Sequence, residues 1–474
     1  MDHFEYIRAD NRRRKNRHRR GPIIGGCVLL VGICCAGAIF FAGKMKNNGN
    51  GNGENSIVIG ADSNEATSSD ATNETDEAVS VETTQESLLE QASALATGYD
   101  YDGAIALLSD SAYAGDPAVQ EAIAGYENTK STLVQVDVNT VTHVFFHTLV
   151  WDTAKAFDGD SRTAGYNQVM TTVDEFNKII QTMYDEGYVL VRLHDLAYET
   201  TDENGNPVMK PGTIMLPEGK IPFVMSQDDL CYYPYMDGDG FASRIIIGDD
   251  GKPTCEMKMD DGSTTTESFD LVPILEDFIG EHPDFSYKGA RAVLAFTGYE
   301  GILGYRTSSS YAETSPTYEQ DREEATKVAQ CLRDQGWELA SHSWGHLNLG
   351  TVDYERFKTD TDKWENEVES LIGPTDIILF PFGADVGDWH PYTNENERFN
   401  YLHSVGFRYF CTVDSTKAWV QFGQDYFRQG RRNLDGYRMW KDITAEDPST
   451  RKLDDLFQAE NVFDSARPTP VPEM

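Results

Sequence analysis

Four side chains of this sequence can do chemistry together. Asp228 and Asp229 close the apolar run in IPFVMSQDDL, and His342 and His346 stand in ELASHSWGHL. One carboxylate and two imidazoles can hold a divalent cation with coordination positions left open, and a second carboxylate beside them can take a proton from water. That combination points to hydrolysis. An aspartate pair after a strand, or two histidines four apart, is common on its own; what strengthens them is context. Both follow β-like runs, residues 221–226 and 337–341, so both emerge at the carboxyl ends of strands, where α/β barrels carry their sites.

The elements that must position these residues alternate. Strand patterns run over 142–148, 188–193, 221–226, 292–296, 337–341, 377–380 and 408–412, with helical patterns over 172–186, 271–279, 322–335, 353–372 and 396–405. Such alternation means parallel strands covered by helices, and residues 137–445 suit a single α/β barrel. An insertion near 231–290 interrupts it. Its centre at 237–269, with GDG, GDDGKPT and DDGSTTTES, carries turn chemistry and reads as a hairpin near the site entrance. Residues 446–474 read as a C-terminal tail.

The formal net charge of −38 argues against nucleic acid and anionic lipid as partners. The basic exception is residues 1–20, with eight Lys/Arg against three acids. Residues 21–43 follow without a single charge and are long enough for a transmembrane helix. They exceed the apolar core of a cleavable leader. The positive-inside rule then keeps the basic arm cytoplasmic and sends the C-terminal domain outside, as a single-pass membrane protein. Residues 44–85, without an aromatic, read as a disordered acidic linker.

Residues 86–136 return to helical period, with Leu88, Leu89, Ala92 and Leu95, then Ala104, Ile105, Leu107 and Leu108, then Val119, Ala122, Ile123 and Tyr126. GYDYDGAIALL resembles part of a tetratricopeptide unit, and one unit cannot build a solenoid. The segment reads as a small helical cap, either a spacer or a surface for an envelope protein partner. Cys27, Cys34 and Cys35 fall in the apolar span. Cys231, Cys255, Cys331 and Cys411 are scattered without metal-binding spacing and read mostly as small core residues, with a Cys231–Cys255 bridge as the alternative.

On its motifs the chain resembles the polysaccharide deacetylases of carbohydrate esterase family 4, the NodB-homology type, over residues 138–439. The resemblance implies a distorted (β/α)7-type barrel. The family's Asp-Asp motif matches Asp228 and Asp229 after an unusual Gln227, and its His-Ser/Thr-x-x-His motif matches His342, Ser343 and His346. By that pattern Asp228 is the base, Asp229, His342 and His346 hold a divalent metal, and zinc is the first choice. The third motif matches Phe380, Pro381, Phe382 and Gly383, the backbone near Phe382 facing a developing oxyanion; Leu379 stands where the family has arginine.

Two further departures need substitutes. No Leu-x-His follows Tyr409, and a permuted subgroup that places a histidine on the first strand makes His147 the candidate acid. The alternative is that His143 and His147 are ordinary strand residues on one face. For the absent arginine, QGRRNLDGYR offers Arg431 or Arg432 after the last strand, with Arg432 assigned to the substrate side; either it lowers the pKa of Asp228 or it is a surface salt bridge. Trp389 and His390 in GDWHPY form a sugar-stacking rim or cap a loop. The resemblance implies a membrane-tethered, extracytoplasmic, metal-dependent deacetylase removing N-acetyl groups from a cell-wall or capsule glycan, its partner an acetylated polysaccharide. The alternatives are a non-catalytic glycan-binding relative and an envelope scaffold.

Overall fold

The computed structural model describes residues 84–414 and 416–473; the basic arm, the expected membrane span and the linker lie outside the described residues. Seven parallel strands close on themselves. They are β1 (Thr142–Phe146), β2 (Ile221–Gln227), β3 (Val293–Phe296), β4 (Glu338–Ser341), β5 (Ile377–Leu379), β6 (Tyr409–Val413) and β7 (Phe427–Asn433). Each pairs with the next, and β7 returns to β1 through Arg432 opposite Val144. The strand Tyr188–Leu190 pairs with the first half of β2, and Val420–Phe422 runs antiparallel to β7.

Alternation along each strand divides the core in two, because successive side chains point to opposite faces. Val144, Phe146, Phe223, Met225, Leu294, Phe296, Leu339 and Phe410 face outwards under the helices. Val224, Val293, Ala295, Ala340, Ile377, Leu379, Cys411 and Phe427 fill the interior. The covering helices include α4 (Thr163–Val169), α5 (Val173–Asp185), α6 (Leu271–Glu281), α7 (Tyr318–Asp334), α8 (Tyr354–Trp364), α9 (Glu397–Ser404) and α10 (Gly436–Ile443). In α5 a capping box between Thr172 and Glu175 closes the first turn, and Phe176, Ile179, Ile180 and Met183 form the buried stripe.

Three helices precede the barrel, α1 (Gln85–Thr97), α2 (Tyr101–Ser109) and α3 (Pro117–Lys130), with a small core of Leu88, Ala92, Ala104, Leu108, Val119 and Ile123. They dock at the amino ends of the strands, away from the aspartates and histidines. Tyr99 stacks on Tyr287 at 6.3 Å, its hydroxyl donates to Asp284 O at 2.9 Å, and Lys288 N donates to Gly98 O at 2.7 Å.

Two expectations change. Residues 427–433 form the seventh barrel strand, so Arg431 and Arg432 lie within the last strand rather than after it. The insertion is a three-stranded antiparallel sheet, Arg244–Ile247, Pro253–Lys258 and Thr264–Glu267, rather than a hairpin. Among the described residues no helix is long and apolar enough to cross a membrane. The four cysteines outside the apolar span are free thiols, with no Cys231–Cys255 bridge.

At the amino ends of β4 and β5, His194 donates to Glu338 (2.5 Å) and Asp376 (2.9 Å). Burial works against its charge, but the hydrogen bonds to Asp376 and Glu338 outweigh it and push the imidazole up to about 10. A folded pKa above the unfolded one means stability fully present below about pH 6.5 and lost as pH rises through about 10. The side chain is 42% exposed, so solvent screening holds the effect to about 1 kcal/mol. Urea midpoints should therefore fall more for wild type than for His194→Gln between pH 6.5 and 10; parallel curves would remove the charge pair from the stability account.

Candidate metal centre and active site

The carboxyl ends of the strands bring the sequence-picked residues together. Asp228 follows β2 directly, its N–H donating to Phe146 O on β1 at 2.9 Å. His342 follows β4, its N–H donating to Phe296 O on β3 at 2.9 Å. Its Nδ1 lies 2.7 Å from Leu379 O on β5; a carbonyl only accepts, so Nδ1 carries the hydrogen and Nε2 is left as the ligating atom. Asp229, His342 and His346, all buried, offer ligand atoms within 4.8 Å of one another. Two imidazoles and a carboxylate at that separation fit a divalent ion.

Unusual backbone holds this cluster. Asp229, Ser343, His346 and Phe382 all take positive φ, of 59°, 57°, 49° and 59°. Left-handed conformations at residues other than glycine cost energy and survive where surrounding contacts impose them. Asp360 on α8 supplies such contacts, accepting from Trp344 N at 2.9 Å and Gly345 N at 2.7 Å. Burial pushes its carboxyl up to about 6. Tyr233 donates to Asp229 Oδ1 at 3.0 Å, and the Phe382 ring meets the His346 edge at 4.5 Å.

Asp228 is built differently from Asp229. Arg431 Nη1 and Nη2 donate to its two oxygens at 2.7 and 3.0 Å, a fork in which both partners are almost wholly buried. Burial alone would raise the carboxyl, but the Arg431 charge, with His342 and His147 adding, takes it below the ordinary carboxylate value. Below lies an oriented chain. Gln429 Nε2 donates to Val141 O, His143 Nδ1 to Gln429 Oε1, Ser226 Oγ to His143 Nε2, and Arg431 Nη1 to Ser226 Oγ. His143 is thus a barrel-core residue, burial and Arg431 taking its pKa down to about 3.

The arginine assignment is corrected here. Period two along β7 turns Phe427, Gln429 and Arg431 inwards and Arg428 and Arg432 outwards, so Arg432 cannot reach the substrate side. It pairs instead with Asp455 at 2.8 and 3.0 Å. Arg431 supplies the positive charge beside Asp228, while the Leu379 side chain is interior packing and its carbonyl orients His342. Gln227, the unusual residue before the aspartates, faces outwards and donates to Asp270 at 2.9 Å. His147 follows β1 on the face of His143 and Phe145, its Nδ1 3.1 Å from Val169 O, close enough to influence Asp228. Pro381 is buried and, lacking an N–H, donates nothing. Trp389, 72% exposed, lies against the His390 ring at 3.9 Å between centroids and 33° between planes, on a loop tied down by Arg428 to His390 O and Asp385.

At the carboxyl ends of a closed parallel barrel, then, three buried side chains that could hold a metal stand beside an arginine-clamped carboxylate. The polysaccharide deacetylase family model matches residues 309–409, so the resemblance is borne out over the stretch holding His342, His346 and the FPFG turn, while Asp228 and Asp229 lie outside it. Among solved structures, the chain is similar to the Streptococcus pyogenes deacetylase PplD in complex with acetate, at 11% identity and TM-score 0.34, covering 64% of this chain and 94% of that one. It is also similar to BA0330 of Bacillus anthracis, assigned as a polysaccharide deacetylase, at 10% identity and TM-score 0.31, covering 63% and 65%. No curated protein matches.

Proposed function

We propose that this protein is a metal-dependent carbohydrate deacetylase that removes N-acetyl groups from a cell-wall or capsule glycan. The observation that carries the reading is the division of labour between neighbours: Asp229 converges with two histidines, while Asp228 is turned onto Arg431. Asp229, His342 and His346 would hold a divalent cation, zinc by the donor set, which when bound would supply Lewis acidity toward an acyl oxygen and water. Asp228, kept ionised by Arg431, takes the proton from the attacking water. Backbone near Phe382 faces the developing oxyanion. His147, oriented through Nδ1, delivers a proton from Nε2 to the departing amine. Trp389 offers an exposed face for a sugar ring. The test is metal analysis joined to acetate release from N- and O-acetylated glycans; a protein that binds metal but releases no acetate from any of them would leave a binding relative instead.

The acid role makes its own prediction. His147→Ala should keep metal and fold but lower kcat on an N-acetyl glycan by roughly 10²-fold or more. An O-acetyl ester, whose alkoxide leaves more readily than an amine, should suffer less. Normal N-deacetylation by His147→Ala, with collapse in His390→Ala, would move the acid to the GDWHPY loop.

The basic arm and uncharged span motivate the proposed topology, with residues 21–43 as the anchor and the barrel outside the cell. Protease added to intact spheroplasts should then digest the barrel, and full protection would reverse the orientation.

A further inference from the structure

We propose that Arg467 in the C-terminal tail is a positioning residue for His147, acting through the carbonyl of Val169; this rests on the reading of His147 as proton donor. Arg467 and Glu175 are both 0% exposed. The guanidinium donates to Glu175 Oε1 at 2.9 Å and Oε2 at 2.5 Å. Its remaining donors reach Asn167 O at 2.8 Å, Asn167 Oδ1 at 3.1 Å and Met170 O at 2.9 Å. Those two carbonyls bracket Val169, whose own carbonyl lies 3.1 Å from His147 Nδ1.

The consequence is a fixed tautomer. A carbonyl only accepts, so this contact requires hydrogen on Nδ1 and makes Nε2 the nitrogen that gains and gives a proton. The rest of the tail grips the same turn of α4. Asn167 Nδ2 donates to Pro468 O at 2.7 Å and Gln168 Nε2 to Pro472 O at 3.2 Å. Gly436 permits the approach, since a Cβ there would lie 2.2 Å from Asn167 O and 2.4 Å from Arg467 Nη1. Glu175 ties the arginine to the start of α5 through Thr172 N at 2.9 Å. Only a planar fork with several fixed donors can serve a carboxylate and two carbonyls at once. The tail is therefore a strap across the turn that orients His147.

Nitrogen-15 NMR of the full chain, with the His147 signals assigned by their loss in His147→Gln, reads the tautomer directly. Wild type should show Nδ1–H. Arg467→Gln should shift the ring to a tautomer mixture and lower kcat about tenfold, a cost of misplacing a reacting group. Metal content should stay unchanged and KM within about twofold, since the strap touches neither ligands nor cleft. Arg467→Lys should lie between. Because Arg467→Gln leaves Glu175 buried without its partner, Arg467→Met combined with Glu175→Gln removes both charges and should give the same tautomer shift in a folded protein. An Nε2–H tautomer in wild type overturns the proposal, as does a folded Arg467 variant with unaltered tautomer and kcat. Should His147→Gln keep full turnover, the acid assignment fails, and the tautomer spectra still decide the strap.

Discussion

On the proposed mechanism, Asp228→Asn will bind a divalent metal as wild type does and lose turnover by about 10²- to 10⁴-fold, whereas His342→Ala or Asp229→Ala will abolish that binding. The contrast follows from geometry. Asp229, His342 and His346 converge within 4.8 Å, and removing any one leaves too few protein ligands to compete with water. Asp228 has both oxygens on Arg431, and its Oδ2 stands 3.8 Å from His342 Nε2, beside the cluster rather than in it. Asparagine keeps an oxygen for the arginine but cannot take a proton from water. Metal content and acetate release, measured on the same preparations, separate the two classes. Loss of metal from Asp228→Asn as complete as from His342→Ala would exchange the roles of the aspartates.

Arg431→Met should carry the largest stability cost in the barrel. It retains length and apolar bulk over Phe145, where the guanidinium carbon sits 4.4 Å from the ring centroid, and removes the charge. Asp228 is then an uncompensated buried carboxylate, and breaking such a pair from one side costs about 3–5 kcal/mol. Adding Asp228→Asn removes the second charge and should restore most of that loss while activity stays absent. The double variant thus separates the charge from the packing. Urea unfolding of the single and double variants is the measurement; a double variant no more stable than Arg431→Met alone would show that the arginine is held for shape instead.

Much of this site was legible in local sequence. Asp228 and Asp229 after IPFVMSQ, and His342 and His346 after ELAS, follow strands whose runs of buried residues announce themselves, and the structure places all four at one end of the barrel. His147 was picked out by the resemblance to the permuted subgroup, and alternation along β1 puts it on the face of His143 and Phe145. The strand Phe427–Asn433 was not. FRQGRRN is rich in charge, and its hydrophobic pattern is masked because its inward residues, Gln429 and Arg431, are paid for by partners far away in sequence. Strict alternation within that stretch was the one available signal, and it separates Arg431 from Arg432. Tyr233 and Asp360, which hold Asp229 and the histidine turn, carried no motif at all.

The sequence by itself determined the order of the barrel strands up to β6 and the carboxyl-end placement of the aspartates and histidines. These are local properties, set by side-chain period and by which residues interrupt it. Tertiary structure alone decided which arginine clamps Asp228, that β7 closes the barrel against β1, and that the segment from Arg467 to Pro472 returns to bind α4. Each of those joins residues some two or three hundred positions apart, as Arg431 to Asp228 and Arg467 to Asn167. Burial makes such pairings obligatory once the chain has folded, since a charge taken out of water must find its partner. Nothing in the local pattern says which one.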